Sequence, residues 1–93
     1  MNVVSCTVYR CSRQPEMYLY LRAGLAPDDH QVVPAELLQR TGKLTEVMQL
    51  ELHAQRPLAR VSVDTVMQAL EDQGWFLQMP PPEALKAAMH WGD

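Results

Sequence analysis

Met17-Tyr18-Leu19-Tyr20-Leu21 is apolar or aromatic at every position, and this run of five residues constrains the fold more than any other. Successive side chains of a strand point to opposite faces of the sheet, so this strand presents apolar side chains to both faces. A strand with one solvated face would instead alternate apolar with polar residues. We therefore predict a central strand that needs cover from other layers on both faces.

The residues before this stretch predict a partner strand. Residues 3–9 place Val4, Cys6 and Val8 on one face, which suits partial burial. The intervening residues 10–16 are polar and short enough for an antiparallel hairpin. The first two strands are therefore expected to pair.

The residues after it predict an irregular connection, a short helix and a third strand. Residues 23–33 carry turn-forming glycine, proline and aspartate. Pro34 suits the first turn of a helix that Gly42 would end. Residues 44–52 follow as a strand, in which Glu46 breaks the alternation near the start. Its expected buried face consists of Met48, Leu50 and Leu52.

The last third of the chain predicts a helix, a strand and a final helix. Ser62 is a candidate N-cap, and Gly74 ends the helix after an apolar stripe. That stripe consists of Val63, Val66, Met67 and Leu70. Residues 75–77 then predict a short buried strand, and Pro82 opens a final helix towards Trp91. Residues 78–82 also fit a polyproline docking segment, which is the alternative interpretation.

Together these elements give the order β-β-α-β-α-β-α. Strands separated by helices usually return parallel, so a mixed sheet of about four strands is expected. Helices are needed on both faces of the central strand, which favours a three-layer α/β/α sandwich. At 93 residues the chain has room for one domain, residues 1–93.

Composition excludes several classes of function. A net charge of −3 and a pI of about 5.5 argue against broad DNA binding, which needs a basic stripe. No apolar run is long enough for a membrane span, and no basic start precedes an apolar stretch, so a cytoplasmic protein is expected. The glycines are isolated and no histidine has a second ligand at metal spacing, so neither a cofactor nor a metal is predicted.

The two cysteines lead to different expectations. Cys6 shares a face with valines and is predicted to be a buried structural thiol. Cys11 is predicted to lie in a polar turn between Arg10 and Arg13, whose charges would lower its pKa. An inert thiol and a reactive thiol both remain open at Cys11.

No catalytic signature supports an enzyme, and a binding or regulatory module is the leading hypothesis. The chain has no nucleophile elbow or comparable motif. The alternative is a hydrolase or nuclease whose site assembles from distant residues, with His30, Asp28 and Cys11 as its candidates.

Five residues are the candidate binding contacts, provided that the strand ends converge: Tyr9, Arg10, Arg13, Gln78 and Met79. Tyrosine and arginine together can stack on bases or hold an acidic peptide. The plain alternative is core tyrosines beside solvated arginines. A protein partner is expected first and RNA second, with no membrane contact.

The whole pattern resembles the YcgL family of small bacterial proteins of unknown function. The resemblance covers almost the full chain and rests on several short elements together. They are Val8-Tyr9-Arg10, residues 17–20, Pro34 with Leu37-Leu38 and Gly42, Leu58-Ala59-Arg60, and residues 74–81. The family implies a single α/β/α domain and no catalytic residue. Its members are often encoded beside a ribonuclease, which implies a link to RNA metabolism.

Overall fold

The computed structural model describes residues 3–29, 31–56, 58 and 61–79. Its elements follow the order β-β-α-β-α-β. They are β1 (Val4–Cys11), β2 (Tyr18–Arg22), α1 (Ala35–Thr41), β3 (Leu44–Leu52), α2 (Val63–Asp72) and β4 (Trp75–Gln78). The final helix expected from Pro82 and most of the alternative polyproline segment lie outside the described residues.

The four strands form one sheet in the order β3-β1-β2-β4, and every neighbouring pair is antiparallel. The predicted hairpin is confirmed, with register from Cys6 opposite Arg22 to Arg10 opposite Tyr18. The predicted mixed sheet is wrong. β2 and β3 do run in the same direction, but β1 lies between them, so they never pair.

The central position of β2 is confirmed, since it lies between β1 and β4. Its side chains enter two separate apolar clusters. Tyr20 is buried on the face that also carries Val4, Cys6 and Val8, which we call the front face. Leu19 and Leu21 are fully buried on the other, the back face. Both faces of the Met17–Leu21 stretch are therefore packed, as its composition requires.

α2 covers part of the front face. Its predicted apolar stripe is buried and packs against Val4, Cys6 and Leu52. The Arg22 guanidinium donates a 3.2 Å hydrogen bond to the Leu70 carbonyl in the last turn, where helix carbonyls lack partners. Gly74 follows with φ of 91°, a conformation that glycine adopts readily.

The back face is covered by α1 and by the irregular connection before it. Leu37 is the buried apolar residue of this two-turn helix, and Gly42 ends it with φ of 72°, as predicted. Leu25, Val32 and Val33 from the connection complete the cluster. The described residues thus form an α/β fold of one antiparallel sheet and two helices.

Both edge strands are more exposed than their sequences predict. In β3 the expected buried face is wrong at Met48, which is 47% exposed, whereas Leu52 is fully buried. β4 is half-buried along its length rather than buried. The reason is position, because an edge strand has a neighbour on one side only, and the apolar cluster that contains α2 includes Leu50 and Leu52 but not Met48.

Candidate functional site

An apolar groove crosses all four strands on the front face, next to the cluster that packs under α2. It encloses about 280 Å³. Its lining consists of Val8, Tyr18, Tyr20, Val47, Met48, Leu50 and Gln78. Val47 and Met48 are among the largest exposed apolar side chains of the described residues, at 45% and 47%. We call this feature the open groove.

A β-bulge explains why two consecutive residues line the open groove. Val8 pairs with Met48, but the next residue, Tyr9, pairs with Glu46, so Val47 is an extra residue in β3. In a regular strand, consecutive side chains point to opposite faces. A bulge bends the strand and re-aims its side chains, which lets both Val47 and Met48 reach the groove.

The floor of the groove is held by Tyr20. Its hydroxyl donates a 2.9 Å hydrogen bond to Oε1 of Gln78, and its ring meets Phe76 edge to face at 6.1 Å. Burial raises the pKa of Tyr20, with smaller contributions from Cys6 and Tyr18, so the hydroxyl keeps the proton that it donates. The hydrogen-bonded pair of Tyr20 and Gln78 is therefore a fixed polar contact within an otherwise apolar lining.

Two of the predicted contact residues flank this floor. Arg10 pairs with Tyr18 in β2, and Tyr18 pairs with Gln78 in β4, so the three form one cross-strand row. Because residues opposite each other share a face, Arg10 and Gln78 both belong to the front face. Arg10 is exposed, and Gln78 is half-buried in the groove.

The other three predicted contacts lie towards the back face. Tyr9 is half-buried and packs against the back cluster, where burial and then the charge of Glu46 raise its pKa. Arg13 and Met79 line a second hollow of about 400 Å³ at the same end of the sheet. The strand ends do converge, but the five residues are divided between two faces and do not form one concave surface.

The predicted environment is confirmed for Cys6 and is wrong for Cys11. Cys6 is buried as expected, and burial raises its pKa to about 11 despite opposing contributions from Arg56 and the Leu50 backbone. The predicted turn position of Cys11 is wrong, because pairing with Leu44 extends β1 to include it. Cys11 is buried, and burial raises its pKa to about 11, the opposite of activation.

The alternative catalytic trio gains no support from the described residues. Cys11 lies in the back cluster, Asp28 is exposed in a turn, and His30 lies outside the described residues. Within the described ranges, no group of three or more histidine, cysteine or carboxylate side chains is placed to hold a metal ion. None of the helices described there is long and apolar enough to cross a membrane.

Sequence reasoning did not select Val47 and Met48 of the open groove. It also did not select two exposed cations at the same end of the sheet, Arg40 beside Arg13 and Lys43 beside Arg10. The break that Glu46 makes in the alternation of β3 is the sequence signal of the bulge and could have pointed to Val47. Arg40 and Lys43 have no local signal. They join the predicted arginines only because the end of α1 packs beside the β1–β2 turn.

Comparison with known proteins gives one consistent result. The sequence profile of the YcgL domain matches residues 6–81. A YcgL domain-containing protein of Yersinia enterocolitica is 39% identical over 88 residues, which cover 95% of this chain and 94% of the relative. Relatives from Yersinia pestis and Yersinia pseudotuberculosis are 40% identical with the same coverage. Their names state the domain and no activity.

Proposed function

This chain belongs to the YcgL domain family, and we propose that it is a small non-catalytic binding module whose partner is another protein. The observation that carries this proposal is the open groove. Val47 and Met48 are half exposed there beside a hydrogen-bonded Gln78. An apolar concavity with a few placed polar groups is the usual form of a binding site.

The chemistry of the groove suits a partner side chain that is apolar at its tip and attached to a polar backbone. Met48 is long and flexible, so it can adapt to the shape of an inserted residue. The Gln78 carbonyl oxygen accepts from Tyr20, and its amide nitrogen is a donor that a partner carbonyl can use. Burying Val47 and Met48 on association would supply the hydrophobic contribution.

We also propose the finer arrangement expected from the sequence, a three-layer α/β/α sandwich in a cytoplasmic protein. α2 packs on the front cluster, and α1 contributes to the back cluster, which supports layers on both faces. The link to RNA metabolism implied by the family stays a prediction.

Site-specific photo-crosslinking in cells tests the proposed function. A benzoylphenylalanine at position 47 places the reactive group in the groove, and the same residue at position 68 places it on the exposed side of α2. We expect a discrete protein adduct from position 47 that is absent at position 68. The substitution Met48→Glu, added to the position-47 protein, should abolish that adduct because it puts a charge in the apolar lining. Identical adducts at both positions would contradict the proposal.

A further inference from the structure

Building on the proposed function, we infer that the end of the sheet beside the open groove recognises an acidic segment of the partner protein. The recognising side chains are four exposed cations, which we call the basic tip: Arg10, Arg13, Arg40 and Lys43. Arg40 lies in the last turn of α1, and Lys43 lies in the connection from α1 to β3. Neither was among the contacts expected from the sequence.

Backbone contacts hold the two halves of the basic tip together. The Ser12 amide donates to the Lys43 carbonyl at 3.0 Å, and the Lys43 amide donates back to the Ser12 hydroxyl at 2.8 Å. The Arg13 amide donates to the Thr41 carbonyl at 3.1 Å. The β1–β2 turn and the α1–β3 connection are thus clasped to each other, and their cations have fixed attachment points.

Gly42 makes this clasp sterically possible. A Cβ atom added there would lie 2.5 Å from the Ser12 hydroxyl oxygen and 2.8 Å from Cγ of Arg13. Its φ of 72° is also a conformation that other residues rarely adopt. The close approach brings the Arg13 side chain against the segment that carries Arg40 and Lys43.

The four cations divide between two adjoining hollows. Arg10 and Lys43 line a hollow of about 410 Å³. Arg13 and Arg40 line the hollow of about 400 Å³ that also contains Met79. Gln14 borders both hollows, so the two hollows adjoin at the end of the hairpin, one on each side of it.

The charge of this surface is opposite to that of the whole molecule. Residues 10–17 and 39–45 hold these four cations and one carboxylate, Glu16, a formal charge of +3. The complete chain has a formal charge of −3. A local field of reversed sign orients a charged partner and speeds its encounter, and salt screens that effect.

An acidic protein segment fits this surface better than RNA does. Single-stranded RNA is bound through exposed aromatic rings, yet Tyr9 and Tyr18 are half-buried in the two clusters. The large hydrophobics exposed near the tip are aliphatic: Val47 and Met48 in the groove and Met79 in the second hollow. Methionine beside cations suits a segment that carries carboxylates and apolar anchors together.

The energetics require several contacts at once. An exposed ion pair contributes at most about 1 kcal/mol, so a single arginine cannot define the site. Guanidinium groups bind carboxylates through two parallel hydrogen bonds, which gives Arg10, Arg13 and Arg40 an advantage over lysine. The expected ligand therefore has several carboxylates flanking an apolar residue that enters the open groove.

A designed probe tests the inference without knowledge of the natural partner. The probe is a fluorescein-labelled peptide, Asp-Glu-Leu-Asp-Glu-Leu-Asp-Glu, compared with versions in which lysine replaces the acids or serine replaces the leucines. We expect the first peptide to bind the complete chain most tightly by fluorescence anisotropy. Raising the salt from ~0.05 M to ~0.5 M should weaken that binding because the contacts are exposed ion pairs.

Matched charge reversals locate the binding site. Lys43→Glu at the basic tip replaces an attraction by a repulsion and should weaken peptide binding by roughly 5- to 10-fold. Arg56→Glu, at an exposed cation beyond the opposite end of β3, should change it by less than about 2-fold. Equal effects of the two substitutions, or tighter binding of labelled oligouridine than of the peptide, would overturn the inference. If the peptide fails to bind while the position-47 adduct still forms and depends on Met48, the inference fails and the proposed function stands.

Discussion

The two halves of the front face differ in what covers them, although they share the same strands. Leu52, beneath α2, is fully buried, whereas Met48, on the same strand in the open groove, is 47% exposed. The difference comes from the reach of α2 and from the bulge at Val47. One half of this face therefore belongs to the structural core, and the other half leaves Val47 and Met48 exposed among the described residues.

Truncating one apolar side chain in each half of the front face should give the largest difference in stability. Leu52→Ala removes a fully buried side chain and should lower the free energy of unfolding by about 3 kcal/mol. Met48→Ala removes a half-exposed one and should lower it by less than about 0.5 kcal/mol. Urea denaturation of both variants measures the difference, and similar losses would contradict the division of the face.

Two glycines test whether the clasp of the basic tip is sterically required. Gly42→Ala places a Cβ against Ser12 and Arg13 at a positive φ and should cost about 2–3 kcal/mol. Gly24 is the matched control, because it also has a positive φ but nothing lies within 4 Å of its added Cβ. Gly24→Ala should cost about 1 kcal/mol, by backbone strain alone. Equal urea midpoints for the two variants would show that the clasp is loose.

One hydrogen bond is expected to stabilise the floor of the open groove. Tyr20→Phe deletes the hydrogen bond to Gln78 and should lower the free energy of unfolding by about 1 kcal/mol. Tyr18→Phe removes a hydroxyl from the lining of the same groove and serves as the control, with an expected change below about 0.5 kcal/mol. A larger loss at position 18 than at position 20 in thermal unfolding would argue against an ordered floor.

The thiols of Cys6 and Cys11 on β1 make the stability of the fold depend on pH at alkaline pH but not at neutral pH. Both have a pKa of about 11 in the folded chain, against an ordinary value of 9.0, because they are buried. Above pH 9 the unfolded chain releases their protons while the folded chain keeps them. The stability they contribute is therefore complete below pH 9 and is lost as the pH rises towards 11.

Urea midpoints at about pH 8 and about pH 10 measure this loss. The wild type should lose stability between the two, and Cys6→Ala and Cys11→Ala should each lose less than the wild type. The comparison between variants removes the contribution of the other titrating groups. If Cys11→Ala loses as much stability between the two pH values as the wild type does, this end of β1 is open to solvent.

Local sequence was sufficient to predict the elements whose burial follows from their own pattern of apolar residues. The two-faced composition of residues 17–21 predicted the central strand, and the stripe of α2 predicted its buried face. Pro34 and Gly42 marked the ends of α1 correctly. In each case the side chains that decide the structure lie within a few positions of each other.

The features that local sequence did not predict depend on which strands become neighbours in the sheet. Met48 and Leu52 look alike in the alternation of β3, and only the edge position and the reach of α2 separate them. Cys11 stands between polar residues, yet pairing with Leu44 draws it into the back cluster. The proximity of Arg13 to Arg40 follows from the Gly42 approach, a contact between segments distant in the chain.

One variant, Met48→Glu, distinguishes a binding surface from a structural core when both its stability and its crosslinking are measured. If the open groove is a binding surface and not part of the structural core, this variant should unfold at nearly the wild-type urea midpoint and lose the position-47 crosslink. A loss of stability as large as that of Leu52→Ala would contradict the claim, as would a crosslink that persists undiminished.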